Sequence, residues 1–143
     1  MNENDDFYTA YADGACRGNP GPMGMGALVI NPRGRVVQRV SISGPSGTNN
    51  KAEYLAAIAA LEAARAAGAR RVELRMDSEL VVRQLSGEYR VKNEGLKPLH
   101  EKASRLLRGF ERWRCVHIGR EANRRADRLA NRALDQAGMP DVS

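Results

Sequence analysis

The stretch that most constrains this chain is Tyr11-Ala12-Asp13-Gly14-Ala15-Cys16-Arg17-Gly18-Asn19-Pro20-Gly21-Pro22, an apolar run that meets an aspartate and then a glycine-rich turn. Phe7 to Ala12 has β-favouring composition, which predicts a strand with Asp13 at its end. Gly14, Gly18 and Gly21 let the backbone turn tightly and approach a ligand, while Pro20 and Pro22 stiffen the turn. A carboxylate beside bare backbone suits a cation and a phosphate, and equally suits an ordinary turn. The rest of the chain has to decide between them.

Met23 to Ile30 and Arg35 to Ser43 read as two further strands joined by Asn31-Pro32-Arg33-Gly34, a hairpin signal, with Gly44-Pro45-Ser46-Gly47 breaking the pattern. Asn50 to Ala67 is alanine-rich with Leu55, Ile58, Ala59 and Leu61 at helical spacing, closed by Gly68. Val72 to Asp77 alternates as a strand, and a crossover would set it beside the first strand. Short helices follow over Ser78 to Leu85 and about Glu94 to Arg108, then a strand over Trp113 to Ile118 and an amphipathic helix over Asn123 to Ala137. The expected fold is α/β, a five-stranded mixed sheet of three antiparallel strands followed by two parallel ones, flanked by helices. A chain of 143 residues with no repeat or linker is expected to form one domain over 1–143, its core spanning about 7–137.

Three more acids fall near element ends, as Asp13 does. Glu53 is expected in the first turn of the long helix, Asp77 at the end of the fourth strand, and Asp127 in the first turns of the last helix. Each has a local explanation: a capping box over Asn50 to Glu53, an N-cap at Asp77, an ion pair of Asp127 with Arg124 or Arg128. Together they carry more. Four carboxylates converging on one sheet edge repel one another unless hard cations hold them, and oxygen-only ligands suit magnesium or manganese. Two such ions about 4 Å apart activate a water and stabilise the leaving oxygen of a phosphodiester.

On these motifs the chain resembles the type 1 ribonuclease H family from Tyr8 to about Ala137. The matching segments are Tyr11 to Gly14 with Gly18 to Pro22; Thr48-Asn49-Asn50-Lys51-Ala52-Glu53; Asp77-Ser78; and Asn123 to Asp127 with Leu129-Ala130. The resemblance implies a ribonuclease H-like fold and an endonuclease that cuts the RNA strand of RNA–DNA hybrids, leaving 5′-phosphate and 3′-hydroxyl ends. It implies catalytic and metal-binding roles for Asp13, Glu53, Asp77 and Asp127, with two Mg2+ ions and Mn2+ as a substitute. It also implies substrate contacts at Gly14, Ala15, Cys16, Asn19, Thr48, Asn49, Asn50 and Asn123. An amide reading a 2′-hydroxyl is sound chemistry, since that group both donates and accepts and only RNA presents it.

The chain departs from many relatives in three places. The Asp77 helix passes through Ser86 to Asn93 straight into the next helix, without a basic protrusion, leaving Arg90 and Lys92 there. Ser46 stands near a position where some relatives place a phosphate-binding arginine. The loop Gly119-Arg120-Glu121-Ala122 lacks a histidine, so Arg120 becomes the candidate catalytic cation, with His117 assigned a structural role and His100 the surface.

Charge agrees with a polyanionic partner. Lys and Arg total 23 against 17 Asp and Glu, a net charge of +6. Arg17, Arg90, Arg120, Arg124 and Arg125 are the candidates to meet phosphates. Two distant cysteines, Cys16 and Cys115, form no disulfide framework or zinc motif, and no apolar run reads as a leader or membrane span. The expectation is a cytoplasmic monomer whose partner is RNA–DNA hybrid. The alternatives are the same fold cutting double-stranded RNA as well, service within a larger polymerase assembly, or a non-catalytic nucleic-acid-binding domain.

Overall fold

A computed structural model describes residues 6–138. The strands are β1 (Phe7–Cys16), β2 (Gly21–Ile30), β3 (Val36–Gly47), β4 (Arg71–Met76) and β5 (Arg112–His117). The helices are α1 (Asn49–Ala66), α2 (Glu79–Leu85), α3 (Lys97–Arg108) and α4 (Arg124–Ala137), with a 3-10 turn at Arg120–Asn123 leading into α4. The sheet order is β3-β2-β1-β4-β5. β1, β2 and β3 pair antiparallel while β4 joins β1, and β5 joins β4, in parallel, so the expected mixed sheet is the one that forms.

The hairpin residues close the β2–β3 turn as their chemistry requires. Gly34 sits at φ 84, and the Asn31 side-chain oxygen accepts from the Arg33 and Arg35 amides. β1 runs three residues further than its composition suggests, because Gly14, Ala15 and Cys16 pair with Met25, Gly24 and Met23. Asp13 therefore lies inside a strand and not at its end. β3 likewise continues through Gly44 to Gly47 where the sequence predicts a break. It is the edge strand, so Pro45 is tolerated where a central strand would lose a ladder bond.

Helices cover the two sheet faces, and glycines set how close they come. A Cβ at Gly14 would lie 2.2 Å from the Ala52 carbonyl carbon of α1, and one at Gly26 would lie 2.2 Å from the Ala126 oxygen of α4. Gly26 pairs with Asp13, while Gly14 pairs with Met25. Because neighbours in a strand point to opposite faces, α1 lies on one face and α4 on the other. The core is built from Ala10, Ala12, Val72, Leu74 and Met76 of the sheet against Tyr54, Ala57, Ile58 and Leu61 of α1, with Val81, Leu85, Ala103 and Leu107 from α2 and α3.

Under α1 the Tyr54 hydroxyl donates to Gln84, whose backbone oxygen lies 3.1 Å from the His100 ring Nε2. His100 also stands edge-on to Tyr54 with ring centroids 6.3 Å apart. It is thus a half-buried part of the α1–α2–α3 junction and not the surface residue that its polarity suggests. Among the described residues no helix is long and apolar enough to cross a membrane.

Candidate active site

The backbone aligns two of the acids. The last paired positions of the parallel β1–β4 ladder are Tyr11 and Arg75, and Asp13 and Asp77 each lie two residues beyond them. Thr48, not Asn50, caps α1, its hydroxyl oxygen accepting from the Lys51 amide, so Glu53 stands in the second turn rather than the first and forms no capping box. Glu53 instead accepts a 2.6 Å hydrogen bond from the Gly14 amide. That bond spans the close contact between β1 and α1 and carries Glu53 to the Asp13 edge. Ser78, not Asp77, caps α2, which leaves the Asp77 carboxylate unused by the helix.

The result is a three-carboxylate cluster. One oxygen from each of Asp13, Glu53 and Asp77 lies within 4.8 Å of the other two. Asp127 stands at the margin on α4, within hydrogen-bonding reach of Asp13. Its carboxylate accepts from the Asn131 amide at 3.1 Å, and no bond to Arg124 or Arg128 is seen. An open cleft of about 450 Å³ gathers Asp13, Gly14, Ala15, Cys16, Asn49, Asn50, Glu53, Asp77, Arg120, Asp127 and Asn131. Asn19 and Thr48 line the adjoining cleft with Asn49 and Asn50, and the Asn19 side-chain oxygen accepts from the Asn49 amide.

Asn123, expected to contact substrate, is only 1% exposed, and its side-chain amide donates to the Ala12 carbonyl, which braces the strand carrying Asp13. Arg17 forms an ion pair with Asp135 at the protein surface. The residue that the sequence reading missed is Asn131. Its signal was present: it lies one helical turn after Asp127, where two side chains on a helix meet. His117 is exposed at the end of β5 and lies outside the cleft lining.

The electrostatics follow from packing the acids together away from water. Burial first, then the Glu53, Asp77 and Asp127 charges, push the Asp13 carboxyl up to about 9. Burial also pushes Glu53 up to about 7, against the lowering effect of the Gly14 amide and the Arg120 guanidinium. An all-oxygen donor set that holds protons near neutral pH fits hard divalent cations, which take their place.

A pH prediction follows. Free carboxyls titrate near 4, so from about pH 4 to 9 the metal-free native state binds more protons than the unfolded chain and loses stability as pH rises. Melting in chelator should therefore fall between pH 6 and 9, and added Mg2+ should raise it more at pH 9 than at pH 6. A melting temperature in chelator that climbs over that interval would contradict the assignment.

Sheet order and acidic cluster together define a ribonuclease H-like fold. The family described as "Reverse transcriptase-like" matches residues 11–133. Ribonuclease HI of Halobacterium salinarum is 46% identical over 128 residues, 90% of this chain and 64% of that protein. Ribonuclease H of Phenylobacterium zucineum is 38% identical, covering 89% of this chain and 90% of its own. The crystal structure of the Halobacterium salinarum RNase H1 superposes with a TM-score of 0.88 at 45% identity, over 91% of this chain and 98% of that one. LC11-RNase H1 in complex with RNA/DNA hybrid gives 0.85 at 41% identity, over 91% and 98%. The chain belongs to the ribonuclease H family. It spans just under two thirds of the Halobacterium salinarum protein and 35% of a Mycobacterium tuberculosis bifunctional protein at 43% identity.

Proposed function

We propose that this chain is a metal-dependent endonuclease that hydrolyses the RNA strand of RNA–DNA hybrids. The observation that carries the reading is the carboxylate cluster of Asp13, Glu53 and Asp77 opening into the cleft that also presents Asn49 and Asn50. The LC11 relative's complex with RNA/DNA hybrid supports the choice of substrate. Free Cys16 and Cys115 accord with a reducing compartment, and we extend the proposal to a cytoplasmic monomer.

Asp13, Glu53 and Asp77, with Asp127 at the margin, would hold two divalent cations, Mg2+ first and Mn2+ as a substitute. Bound there, the ions supply a water of lowered pKa and a positive field for the charge that develops on the phosphate. The chain's own residues do the rest. Glu53 is fixed by the Gly14 amide, and Asp127 by Asn131, so the ligands are oriented before substrate arrives. In the hydrolysis the water oxygen bonds to phosphorus, the bond to the 3′ oxygen breaks, and that oxygen takes a proton. The products carry 5′-phosphate and 3′-hydroxyl ends.

Asn49 and Asn50 are exposed at the start of α1, and because Thr48 performs the capping, their amides are left to meet 2′-hydroxyls. The double replacement Asn49→Ala/Asn50→Ala should cut hybrid cleavage by about tenfold or more, at roughly 1.4 kcal/mol per tenfold for lost hydroxyl contacts, with little change in melting. Unchanged kinetics in the folded variant would remove them from substrate recognition.

Arg120 lines the cleft beside Glu53, where its guanidinium can fork onto the departing phosphate. Arg120→Ala should slow turnover by about tenfold to a hundredfold, the loss of one charge-assisted contact, while His117→Ala leaves it near normal. The reverse ranking, with His117→Ala well folded, would transfer the role to His117.

The function itself is tested with a panel of RNA–DNA hybrid, RNA duplex and DNA duplex, each with Mg2+ or with chelator. Cleavage of hybrid alone fits the proposal, and cutting of RNA duplex as well widens its specificity. Binding without cleavage of any substrate would make the chain a nucleic-acid-binding domain.

A further inference from the structure

We propose that Arg39, Arg125, Arg128 and Arg132 form a second binding site for a nucleic-acid phosphate backbone, on the flank of α4 away from the catalytic cleft. The four guanidiniums and two apolar residues, Leu28 and Leu129, line a shallow cleft of about 460 Å³ that contains no acidic side chain. All four arginines are exposed. The fold assembles them from two elements. Arg125, Arg128 and Arg132 recur at a spacing of three and then four, which makes one stripe along α4. Arg39 comes from β3, held opposite Leu28 by the strand register.

Six arginines elsewhere on the molecule are matched with acids. Arg17, Arg71, Arg75, Arg83, Arg105 and Arg114 each contact a carboxylate. Four like charges brought together with no carboxylate in the lining repel one another, an arrangement that a polyanion relieves. The geometry favours an extended polyanion over a single phosphate. Arg125 to Arg132 covers about 10 Å of helix, or roughly three nucleotides of one strand at about 3.4 Å each. Leu28 and Leu129 give the arginine stems an apolar floor while the guanidiniums reach outward. With no amide or aromatic group in the lining, the site reads backbone and not base sequence.

The stripe is distinct from the active site. At about 100° per residue it lies roughly a third of a turn round α4 from Asp127 and Asn131, which face the catalytic cleft. α4 thus separates the two surfaces. The occupant is a more distant part of the hybrid held in the cleft, whose phosphates complement the four guanidinium charges, and a second nucleic acid is the other outcome of the test. The choice of nucleic acid as the polyanion rests on the proposed function.

The test compares wild type with the fourfold variant Arg39→Gln/Arg125→Gln/Arg128→Gln/Arg132→Gln, and with the fourfold Arg→Lys variant at the same positions. Binding is measured in chelator across a salt series, with hybrids of about one helical turn (~10 base pairs) and about three turns (~30). For the Gln variant the slope of log affinity against log salt on the long hybrid should become shallower by about 0.9 per lost phosphate contact, two to four units in all. The Lys variant should keep most of the slope. If instead the long hybrid is unaffected but a labelled DNA duplex no longer binds beside a cleft filled with short hybrid, the backbone belongs to a second molecule, and the site stands. A Gln variant that melts like wild type and shows unaltered slopes for both hybrids and for the DNA duplex overturns the site. Wild type that cuts no hybrid, yet loses slope in the Gln variant, would sink the nuclease reading and leave the arginine surface in place.

Discussion

Asp13→Asn is expected to reduce hybrid cleavage by about 10³-fold or more, corresponding to several kcal/mol of transition-state charge stabilisation, while leaving hybrid binding largely intact. Asparagine keeps the shape of the side chain but removes the charge that faces Glu53, Asp77 and Asp127. The loss therefore falls on the chemical step. The same replacement should flatten the stability of the metal-free protein against pH. Asp13 in wild type holds a proton in the folded state that the unfolded chain gives up near pH 4, whereas an amide binds none in either state. Single-turnover cleavage, anisotropy in chelator and melts at pH 6 and 9 measure the three effects separately. A variant that cuts at near wild-type rate would refute the metal-site assignment.

Gly14→Ala should be nearly as damaging, for a different reason. The new methyl would lie 2.2 Å from the Ala52 carbonyl carbon, 2.3 Å from its oxygen and 2.4 Å from the Glu53 nitrogen, all backbone atoms that cannot rotate away. Either β1 or α1 has to shift, and the hydrogen bond from the Gly14 amide to Glu53 lengthens or breaks. Overpacking of this kind costs about 1–3 kcal/mol or more of stability. Displacing a catalytic ligand by about 1 Å can cost about a hundredfold in rate. Gly34→Ala is the control: at φ 84 with open space around it, it should cost about 1–2 kcal/mol of turn strain and leave cleavage alone. Equal cleavage by the two variants would show that the β1–α1 contact does not set the position of Glu53.

Much of this was legible because it depends on local chemistry. Strand alternation, the Asn31 to Gly34 turn and the helical spacing in α1, α3 and α4 gave the element order, and the order with one crossover gave the mixed sheet. The four acids stood out because each was expected near the edge of an element. What was not legible depends on partners distant in sequence. Asp13 is interior to β1 because Gly14 to Cys16 find β2, and β3 passes through Pro45 because it has no neighbour on its outer side. Glu53 is set by the Gly14 amide, 39 residues away, rather than by a capping box. Gly24 and Gly26 fall inside the expected strand Met23 to Ile30, and nothing local shows that they let α4 approach the sheet. Asn123 matches a functional motif and turns out to be buried against Ala12. The arginine stripe of α4 can be counted from the sequence, but Arg39 joins it only through the β2–β3 register.

The most direct measurement is cleavage of a hybrid labelled on its RNA strand by the purified chain, stripped of metal and then titrated with Mg2+. The expected result is no cleavage in chelator, then Mg2+-dependent appearance of internal RNA fragments with 5′-phosphate and 3′-hydroxyl ends, the DNA strand remaining whole. Cleavage that persists in chelator, or an intact RNA strand at saturating Mg2+ with hybrid demonstrably bound, would contradict it.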